Sequence, residues 1–402
     1  MILMNKKCDN ITYLLGNDCV EVKPLEIFSD IVREFLDELS KELRNNVDAK
    51  RFPDIMTFAF WCRKANIEKI KKDYLQDGSK RISVGRGIAF HIAPSNVPIN
   101  FAFTLVFGML AGNANIVRAS SKDFEQTRIV CRAMSRVLEK DKYEILRKQN
   151  SVVMYDRNKD INDMYSEMCD VRVIWGGDNT IAEIRKSPIK SRCTEITFAD
   201  RYSFALFDEK SMEDISDSEL TRIVEGFYND TYLMDQNACS SPHLIIWKKS
   251  ESKTGRKLFY SELEKVCGKY NLEDKKTIDK VTRLYEMIAT DDNIFSVDSY
   301  TNVLYVAKLN QIGSDMSVYR GIFGLFFETD IDDITEITYC INNKVQTCVA
   351  YGVDDKLLAN QVLNGYCTGI DRIVKPGEAM DIGIFWDGYD VIGSMSRGIV
   401  TG

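Results

Sequence analysis

The sequence is poor in the residues that build metal sites and disulfide frameworks. It has only two histidines, His91 and His243, and none of its 11 cysteines stands in a C-x-x-C pair. No set of histidines and cysteines has the spacing of zinc ligands, so a metal site of this kind is excluded. Cysteines without short paired spacings, in a chain of 402 residues, indicate reduced thiols rather than a disulfide scaffold and predict a cytoplasmic protein.

Dense positive charge and long apolar runs are also missing. The formal net charge is −7 and the sequence pI is about 5.3, and no stretch of lysine and arginine is dense enough to follow a nucleic-acid backbone. The longest apolar run, residues 99–112, is interrupted by Asn100 and Thr104 and is too short to span a bilayer. We therefore expect a soluble protein that binds no nucleic acid and has no membrane span.

Apolar strands alternate with amphipathic helices along most of the chain. The predicted strands are residues 82–93, 114–118, 152–155, 171–175, 203–207, 243–247, 302–308, 322–328 and 345–351. The predicted helices are residues 25–46, 53–74, 99–111, 123–139, 159–168, 180–186, 215–233, 256–270 and 275–289, with Ser120 and Ser121 as a cap for the fourth. Strands that are apolar throughout are typical of parallel sheets covered on both faces, so we predict an α/β fold with two lobes.

Two loops stand at the predicted carboxyl ends of strands, where parallel sheets bind ligands. The loop Pro94-Ser95-Asn96-Val97-Pro98 holds a side-chain amide between two prolines, which stiffen the backbone. A rigid amide donor suits a tetrahedral oxyanion, although the loop is also explained as a simple turn. Gly176-Gly177-Asp178-Asn179 can present backbone N–H groups to a pyrophosphate, but Asp178 is equally explained as a helix cap.

Cys239 lies at a predicted corner between a helix and a strand. It is flanked by small polar residues in Asp235-Gln236-Asn237-Ala238-Cys239-Ser240-Ser241-Pro242. Such a setting favours an exposed nucleophile, whereas an isolated cysteine is more often core filler. We expect Cys193, Cys340, Cys348 and Cys367 to be structural.

Together these motifs resemble the aldehyde dehydrogenase superfamily and, within it, the LuxC family of acyl-CoA (fatty acid) reductases. The resemblance covers roughly residues 80–400 and is most specific in three stretches. They are residues 91–120 (HIAPSNVPINFAFTLVFGMLAGNANIVRAS), 175–181 (WGGDNTI) and 369–397 (GIDRIVKPGEAMDIGIFWDGYDVIGSMSR). The resemblance implies an aldehyde dehydrogenase-like fold with a Rossmann-type NAD(P)-binding domain over residues 1–200 and a catalytic domain over 201–368. Residues 369–402 would return to the cofactor domain or to an oligomer interface.

The resemblance also implies roles for individual residues. Cys239 would be the nucleophile, and Asn96 with the Cys239 backbone N–H would form the oxyanion hole. The implied cofactor-binding residues are Ala93, Pro94, Ser95, Arg118, Ser120, Ser121, Gly176, Gly177, Asp178, Thr197, Phe198 and Phe323. No metal is implied. His91 is expected to be a satisfied strand residue, and His243 is a candidate for tuning the thiol.

The chain departs from the aldehyde dehydrogenase pattern at three positions. Thr197 stands where hydrolytic members carry a general-base glutamate, and Glu195 is the nearest carboxylate along the strand. Losing the base suits a reductase, because its acyl-enzyme must not meet an activated water. Ser121 replaces an acidic residue that disfavours a 2′-phosphate, which favours NADPH and leaves NADH possible. Gly321 replaces the acidic residue that contacts the nicotinamide ribose.

The function implied is NADPH-dependent reduction of an acyl thioester to an aldehyde through a thioester on Cys239. The acyl donor would be acyl-CoA or an acylated carrier or partner protein, and family analogy implies a homodimer or larger homo-oligomer. Two alternatives stay open. One is an oxidative aldehyde dehydrogenase that uses Glu195 or a water as base and releases a carboxylic acid. The other is a non-catalytic scaffold that handles acyl groups.

Overall fold

The computed structural model describes residues 2–3, 10–75 and 81–400. The chain divides into two compact units, Met1–Ala199 with Ile384–Gly402, and Asp200–Gly383. The first boundary lies one residue before the one expected from the sequence. Residues 369–383, expected in the C-terminal segment, group with the second unit because Arg372–Val374 forms a strand of its sheet.

The first unit, up to residue 199, is built from alternating strands and helices. Its strands are β1 (Ile2–Leu3), β2 (Thr12–Leu15), β3 (Cys19–Val20), β4 (Arg81–Gly85), β5 (Ile88–Ile92), β6 (Ala114–Arg118), β7 (Asn150–Met154), β8 (Val171–Trp175) and β9 (Thr194–Phe198). Its helices are α1 (Asp30–Asn45), α2 (Pro53–Trp61), α3 (Lys64–Tyr74), α4 (Asn100–Leu110), α5 (Glu125–Leu138), α6 (Glu144–Gln149), α7 (Lys159–Met168) and α8 (Asp178–Ile184). Short 3₁₀ helices span Ala49–Arg51 and Asp141–Tyr143.

The main sheet of the first unit has the order β2-β7-β6-β5-β8-β9. All neighbours are parallel except β2, which runs antiparallel to β7. Every residue of β5 and β8 is buried, as expected for strands covered on both faces. The chain leaves β5 toward β6 on one side and returns to β8 on the other. The carboxyl ends of β5 and β8 therefore flank a topological switch point, the usual ligand crevice of such sheets.

The second unit repeats this plan. Its strands are β10 (Tyr202–Asp208), β11 (Pro242–Lys248), β12 (Ile294–Thr301), β13 (Leu304–Leu309), β14 (Leu325–Ile331), β15 (Val345–Tyr351) and β16 (Arg372–Val374). Its helices are α9 (Asp217–Thr231), α10 (Thr254–Cys267), α11 (Asp274–Thr290) and α12 (Asp355–Asn364). Its 3₁₀ helices are Lys210–Met212, Tyr232–Met234, Met316–Val318 and Ile334–Cys340.

The sheet of the second unit has the order β12-β13-β14-β11-β10-β15-β16. Only the edge strand β12 is antiparallel to its neighbour among these described strands. Apolar side chains cover both faces, in two clusters centred on Phe204 and Phe327 and on Phe207 and Trp247. The two-lobed α/β prediction is confirmed.

The C-terminal segment returns to the first unit. It contains β17 (Phe385–Trp386), β18 (Tyr389–Asp390), α13 (Val391–Met395) and β19 (Ser396–Val400). Strand β19 pairs antiparallel with β4, and the Asn113 amide donates to the Met395 carbonyl at 3.0 Å.

Several predicted boundaries were wrong for local reasons. The predicted helix 53–74 is two helices, and the Asn66 amide caps the first by donating to the Trp61 carbonyl at 2.7 Å. The predicted strand 82–93 is also divided, because Gly87 turns the chain at φ 143° between β4 and β5. Ser120 does not cap α5, since its hydroxyl accepts the Lys122 N–H at 3.1 Å. Strand β12 and helix α12 were not predicted.

Candidate active site

The Cys239 corner is shaped by two residues in the left-handed region. Helix α9 passes into the 3₁₀ turn, after which Asp235 and Gln236 adopt φ 54° and φ 59°. Non-glycine residues rarely adopt this conformation, and it is retained where surrounding contacts demand it. The Tyr270 hydroxyl and the Lys276 ammonium both bind the Asp235 carboxylate. Cys239 lies between this turn and strand β11, as predicted, and it is half-buried rather than exposed.

The buried Gln236 side chain fixes the corner to the segment before β14. Its Oε1 accepts the Gly324 N–H at 2.8 Å, and its Nε2 donates to the Leu325 carbonyl at 3.2 Å. The glutamine of the Q-x-x-C motif therefore holds the backbone in place. Its effect on Cys239 is indirect, through the position of the backbone.

Three parallel strands bring their amino ends to Cys239. Ser203 of β10 pairs with Pro242 of β11 and with Thr347 of β15. The Ser203 hydroxyl donates to the Cys239 carbonyl at 2.7 Å. The nucleophile candidate is thus attached to the start of the sheet.

Gln346 brings a side-chain amide to the thiol. It lies in β15, is fully buried, and its Nε2 donates to Cys239 Sγ at 3.5 Å. A donor aimed at sulfur favours the thiolate over the thiol. The sequence interpretation missed this residue, although an amide within the apolar run Val345–Tyr351 is a signal that could have drawn attention to it.

The serines after Cys239 are anchored to a turn that follows β16. Ser240 Oγ donates to Met380 Sδ at 3.6 Å, and Ser241 Oγ donates to the Asp230 carbonyl at 2.7 Å. The Asp230 carboxylate accepts the backbone N–H of Gly377 at 2.7 Å and of Ala379 at 3.0 Å. Burial raises the pKa of Asp230 to about 7, and these hydrogen bonds only partly offset it.

His243 is an interior residue of the same unit. Its Nδ1 lies 2.9 Å from the Gly321 carbonyl, and its ring stacks on Tyr202 with centroids 5.4 Å apart. Burial lowers the pKa of His243 to about 4, and the nearby Arg320 charge acts in the same direction. The imidazole is therefore neutral at pH 7, with Nδ1 engaged by the main chain.

The Phe323 turn has two special backbone positions. Phe323 adopts φ 54° and is only partly buried, and Gly324 beside it has φ 85°. A Cβ on Gly321 would lie 1.7 Å from the Leu325 carbonyl oxygen. No side chain fits there, which explains why this chain lacks an acidic residue at that position.

In the first unit, the Asn96 loop follows β5 at the carboxyl edge of the sheet. The Ala93 N–H donates to the Arg118 carbonyl at 3.0 Å, which ties the loop to the end of β6. Ser95 and Asn96 are exposed, and Pro94 is partly buried. Asn96 thus belongs to the first unit, and Cys239 belongs to the second.

Arg118 ends β6 beside this loop. Its guanidinium lies 4.5 Å from the centroid of the Tyr155 ring, and Nη2 donates to the Tyr155 carbonyl at 3.3 Å. Ser120 is partly buried, while Ser121 and Lys122 are exposed. A half-buried cation with two exposed polar residues can receive an anionic ligand.

The Gly176-Gly177 turn joins β8 to α8 at the same edge. Gly177 is the N-cap residue, so Asp178 is the first helical residue and the cap assigned to it was wrong. A Cβ on Gly177 would meet no atom within 4 Å, whereas a Cβ on Gly176 would contact Thr180 at 3.1 Å. The turn therefore faces open space on the Gly177 side.

Strand β9 carries Thr197 and Phe198. The Phe198 ring is buried and stacks on Trp175 with centroids 3.6 Å apart, whereas Thr197 is partly exposed. Both residues lie at the carboxyl end of the strand, next to the end of β8.

Glu195 is held in an ion-pair network. Arg172 Nε donates to its Oε2 at 2.8 Å, and Arg185 Nε donates to its Oε1 at 2.7 Å. Burial favours the protonated acid, but the hydrogen bonds from Arg185 and Arg172 outweigh it and lower the pKa of Glu195. Its basicity is thus weakened, and both of its oxygens are occupied.

His91 is structural, as predicted. It is fully buried in β5, with Nδ1 at 2.8 Å from Thr104 Oγ1 and Nε2 at 3.1 Å from Asn115 Oδ1. Burial lowers the pKa of His91 to about 4.

Across the described ranges, no cluster of histidine, cysteine and carboxylate side chains could hold a metal ion. None of the helices described is long and apolar enough to cross a membrane.

Solved structures share this fold. An oxidoreductase from Marinobacter aquaeolei matches with a TM-score of 0.64 at 13% identity, over 96% of this chain and 88% of its own. A mutant 1-pyrroline-5-carboxylate dehydrogenase from Thermus thermophilus matches with a TM-score of 0.60 at 12% identity, over 92% of this chain and 80% of its own. An NADP-dependent glyceraldehyde-3-phosphate dehydrogenase from Bacillus halodurans, complexed with NADP, matches with a TM-score of 0.58 at 15% identity. This match covers 92% of this chain and 84% of the other. The fold is that of the aldehyde dehydrogenases.

Sequence relatives narrow the assignment. A long-chain acyl-protein thioester reductase from Aliivibrio fischeri is 23% identical over 305 residues, which is 73% of this chain and 58% of that protein. The chain thus spans little more than half of this relative. The model of the acyl-CoA reductase (LuxC) family matches residues 68–397. The chain belongs to the LuxC acyl-CoA reductase family.

Proposed function

We propose that this protein reduces an acyl thioester to the aldehyde with NADPH, through a thioester on Cys239. The observation that carries the proposal is the half-buried thiol at the amino edge of the second sheet, with the buried Gln346 amide 3.5 Å from its sulfur. A cysteine that serves only as core filler needs no such donor. Membership of the LuxC family supplies the reaction class.

The first step is acyl transfer to Cys239. Its thiolate attacks the carbonyl carbon of the donor, the C–S bond to the donor thiol breaks, and that thiol leaves with a proton. Gln346 supports the step because its Nε2–H stabilises the anionic sulfur before attack. Ser203 keeps the corner in register through the Cys239 carbonyl.

Asn96 is proposed as the side-chain donor to the developing oxyanion, together with the Cys239 backbone N–H. Support comes from its exposed position in a loop stiffened by Pro94 and Pro98. Preorganised donors of this kind contribute about 3–4 kcal/mol to transition-state stabilisation.

The carboxyl edge of the first sheet fits a dinucleotide phosphate. Open space beside Gly177 permits close backbone approach, and the Arg118 cation stands at the end of β6. Ser121 and Lys122 are exposed and bring no negative charge, which favours a 2′-phosphate and hence NADPH over NADH. When bound, the nicotinamide supplies the hydride that reduces the Cys239 thioester to aldehyde and regenerates the thiol.

Without a free general base at Thr197 or Glu195 to activate water, the acyl group would stay available for reduction. Thr197 replaces the general base of hydrolytic relatives, and Glu195 is occupied by Arg172 and Arg185. An oxidative dehydrogenase would need a base at this position. The alternative based on Glu195 is therefore disfavoured.

The donor is proposed to be acyl-CoA or an acylated protein, and the Aliivibrio relative, by its name, acts on acyl-protein thioesters. A homo-oligomer is proposed by family analogy alone.

The test measures NADPH oxidation and aldehyde with a panel of acyl-CoAs and one acylated carrier protein. We expect aldehyde and oxidised cofactor in equal amounts. Free carboxylic acid from aldehyde and NAD(P)⁺ without added thiol would instead support the oxidative alternative, and no cofactor binding by calorimetry would support a scaffold.

A further inference from the structure

Two cysteines of the first unit place their sulfurs side by side. Cys169 Sγ and Cys193 Sγ lie 3.7 Å apart, a hydrogen-bonded thiol contact. Cys169 is fully buried, and its Sγ also lies 3.2 Å from the Ser166 carbonyl oxygen. Cys193 is half-buried and follows the exposed residues Ser191 and Arg192. Cys193 is therefore the partly exposed residue of the pair, and Cys169 is the fully buried one.

The backbone holds the pair in register. Cys169 immediately precedes Asp170, and Cys193 immediately precedes Thr194, whose N–H donates to the Asp170 carbonyl at 3.1 Å. From there β8 and β9 run parallel, with Val171 paired to Thr194. Extended one residue back, this register places Cys193 opposite Asp170, next to Cys169. A strand spacing of about 4.8 Å and a rise of about 3.3 Å per residue then give a Cα separation of roughly 5.8 Å, within the roughly 4.4–6.8 Å that disulfides adopt. The sulfurs need only rotate and close to bonding distance.

We propose that Cys169 and Cys193 form a reversible disulfide site, oxidised by peroxides, that staples β8 to β9. The site is separate from the chemistry of Cys239. It changes the expectation that Cys193 is merely structural.

The oxidation proceeds in two steps with hydrogen peroxide as the oxidant. The Cys193 thiolate attacks a peroxide oxygen, an S–O bond forms, the O–O bond breaks, and hydroxide leaves and is protonated to water. The Cys169 sulfur then attacks the Cys193 sulfenic acid, the S–S bond forms, and a second water leaves with the Cys169 proton. Two thiols lose two electrons, and one peroxide becomes two waters.

The surroundings suit Cys193 as the attacking sulfur. The hydrogen bond from Cys169 lowers the pKa of the Cys193 thiol, burial opposes this, and the Arg172 charge adds to the lowering. The same pairing raises the pKa of Cys169. By contrast, burial alone raises the pKa of the Cys131 thiol to about 12.

Peptide mapping tests the proposal on the wild-type protein. Trypsin cleaves after Lys159, Arg172, Arg192 and Arg201, so residues 160–172 and 193–201 each carry one cysteine of the pair. After stoichiometric peroxide and alkylation of the remaining thiols, we expect these two peptides joined, and separated again by dithiothreitol. The reaction is repeated in Cys239→Ala to remove the nucleophile candidate. Conversion of Cys193 to sulfinic acid without cross-linking, or equal cross-linking among other cysteines, would overturn the proposal.

Variants supply the matched control. Cys193→Ser should lose the cross-link, whereas Cys367→Ser should keep it, because Cys367 is also half-buried but its sulfur donates to the Thr338 carbonyl. The cross-link closes a loop of 24 residues and should raise the thermal midpoint of the oxidised protein by roughly 5 °C. The rise should vanish in Cys193→Ser, and its persistence there would contradict the assignment.

Discussion

The two units share one architecture but carry their candidate site residues at opposite edges of their sheets. In the first unit, the candidate ligand residues follow the carboxyl ends of β5, β6 and β8. In the second, Cys239 and Gln346 lie at the amino ends of β11 and β15. With the proposed roles, the first unit would follow the rule that α/β sheets bind ligands at carboxyl ends, and the second would depart from it.

The carboxyl edges explain the difference. Gly177 in the first unit borders open space. At the matching switch point of the second unit, Gly352 follows β15 and a Cβ there would lie 2.5 Å from the Ser211 Cβ. Ser211 in turn binds the Asp208 carboxylate. Side chains of Ser211 and Asp208 therefore pack directly against the Gly352 backbone, where Gly177 has open space.

Ion pairs close the same edge of the second sheet. Arg256 lies 3.3 Å from Glu209, 3.6 Å from Glu328 and also contacts Asp330. Glu328 accepts from Trp247 Nε1 at 3.0 Å. These charges stabilise one another at the carboxyl edge, whereas Cys239 and Gln346 lie at the amino edge. A fold therefore does not fix the position of a site, which depends on the side chains at each edge.

The largest expected effect comes from removing the Arg256 cation from the ion pairs at the carboxyl edge of the second sheet. Arg256→Met removes the cation beside Glu209 and leaves the buried Glu328 with its 3.8 Å contact to Lys308 as the remaining ion pair, which should lower the free energy of unfolding by about 3–5 kcal/mol. Urea unfolding measures this loss. The control Arg222→Met removes an exposed pair with Glu219 and should change the same quantity by less than about 1 kcal/mol. Equal losses in both variants would refute the structural role given to this edge.

The next effect concerns the open edge of the first unit. Asn96→Ala should lower kcat by about 10²–10³-fold, because an oxyanion donor is lost without a change in folding. Steady-state reduction of acyl-CoA measures it. Asn364→Ala, at an exposed helix end, serves as control and should leave kcat unchanged. An Asn96→Ala enzyme with normal kcat would remove Asn96 from the mechanism.

Two buried groups of the second unit, His243 and Asp230, should make stability depend on pH in opposite directions. The folded pKa of His243 is about 4, below the unfolded value of 6.5, so its stability contribution is present above pH 6.5 and is lost as pH falls toward 4. The folded pKa of Asp230 is about 7, above the unfolded value of 3.8, so its contribution is present at low pH and is lost as pH rises through 7. The two groups therefore oppose each other between pH 5 and 7.

Variants at these positions should change the pH dependence in opposite directions. The quantity compared is the change in the free energy of unfolding when the pH falls from 7 to 5. Relative to wild type, this change should be about 2 kcal/mol more stabilising in His243→Asn and about 2 kcal/mol less stabilising in Asp230→Asn. Urea unfolding at both pH values gives the comparison. Changes of the same sign in both variants would contradict the pKa directions.

The smallest effect tests the amide beside the nucleophile. Gln346→Leu removes the donor to Cys239, so the pKa of the thiol should rise and acylation at pH 7 should slow about tenfold. The rate of alkylation by iodoacetamide as a function of pH measures the shift. Gln346→Glu, which puts a carboxylate near the sulfur, should raise the pKa further, and an unchanged profile in both variants would remove Gln346 from the site.

Local patterns predicted much of the fold and part of the site. Apolar strands and helical spacing located most elements, and the Cys239 corner was recognisable because its signals are contiguous in sequence. The amide of Gln346 stands out in its apolar run, but its contact with Cys239 was not predictable, because 107 residues separate the two and the β10–β15 register brings them together. Likewise, the pairing of Glu195 with Arg185 depends on how α8 packs, which spacing alone does not reveal.

The central claim is that Cys239 carries the acyl group, and intact-mass spectrometry tests it most directly. With acyl-CoA and no cofactor, wild-type protein should gain one acyl group, located on the tryptic peptide 223–248, whose only cysteine is Cys239. Added NADPH should discharge it as aldehyde, and Cys239→Ala should gain no acyl group. Acylation of Cys239→Ala, or discharge as free acid before NADPH is added, would contradict the account.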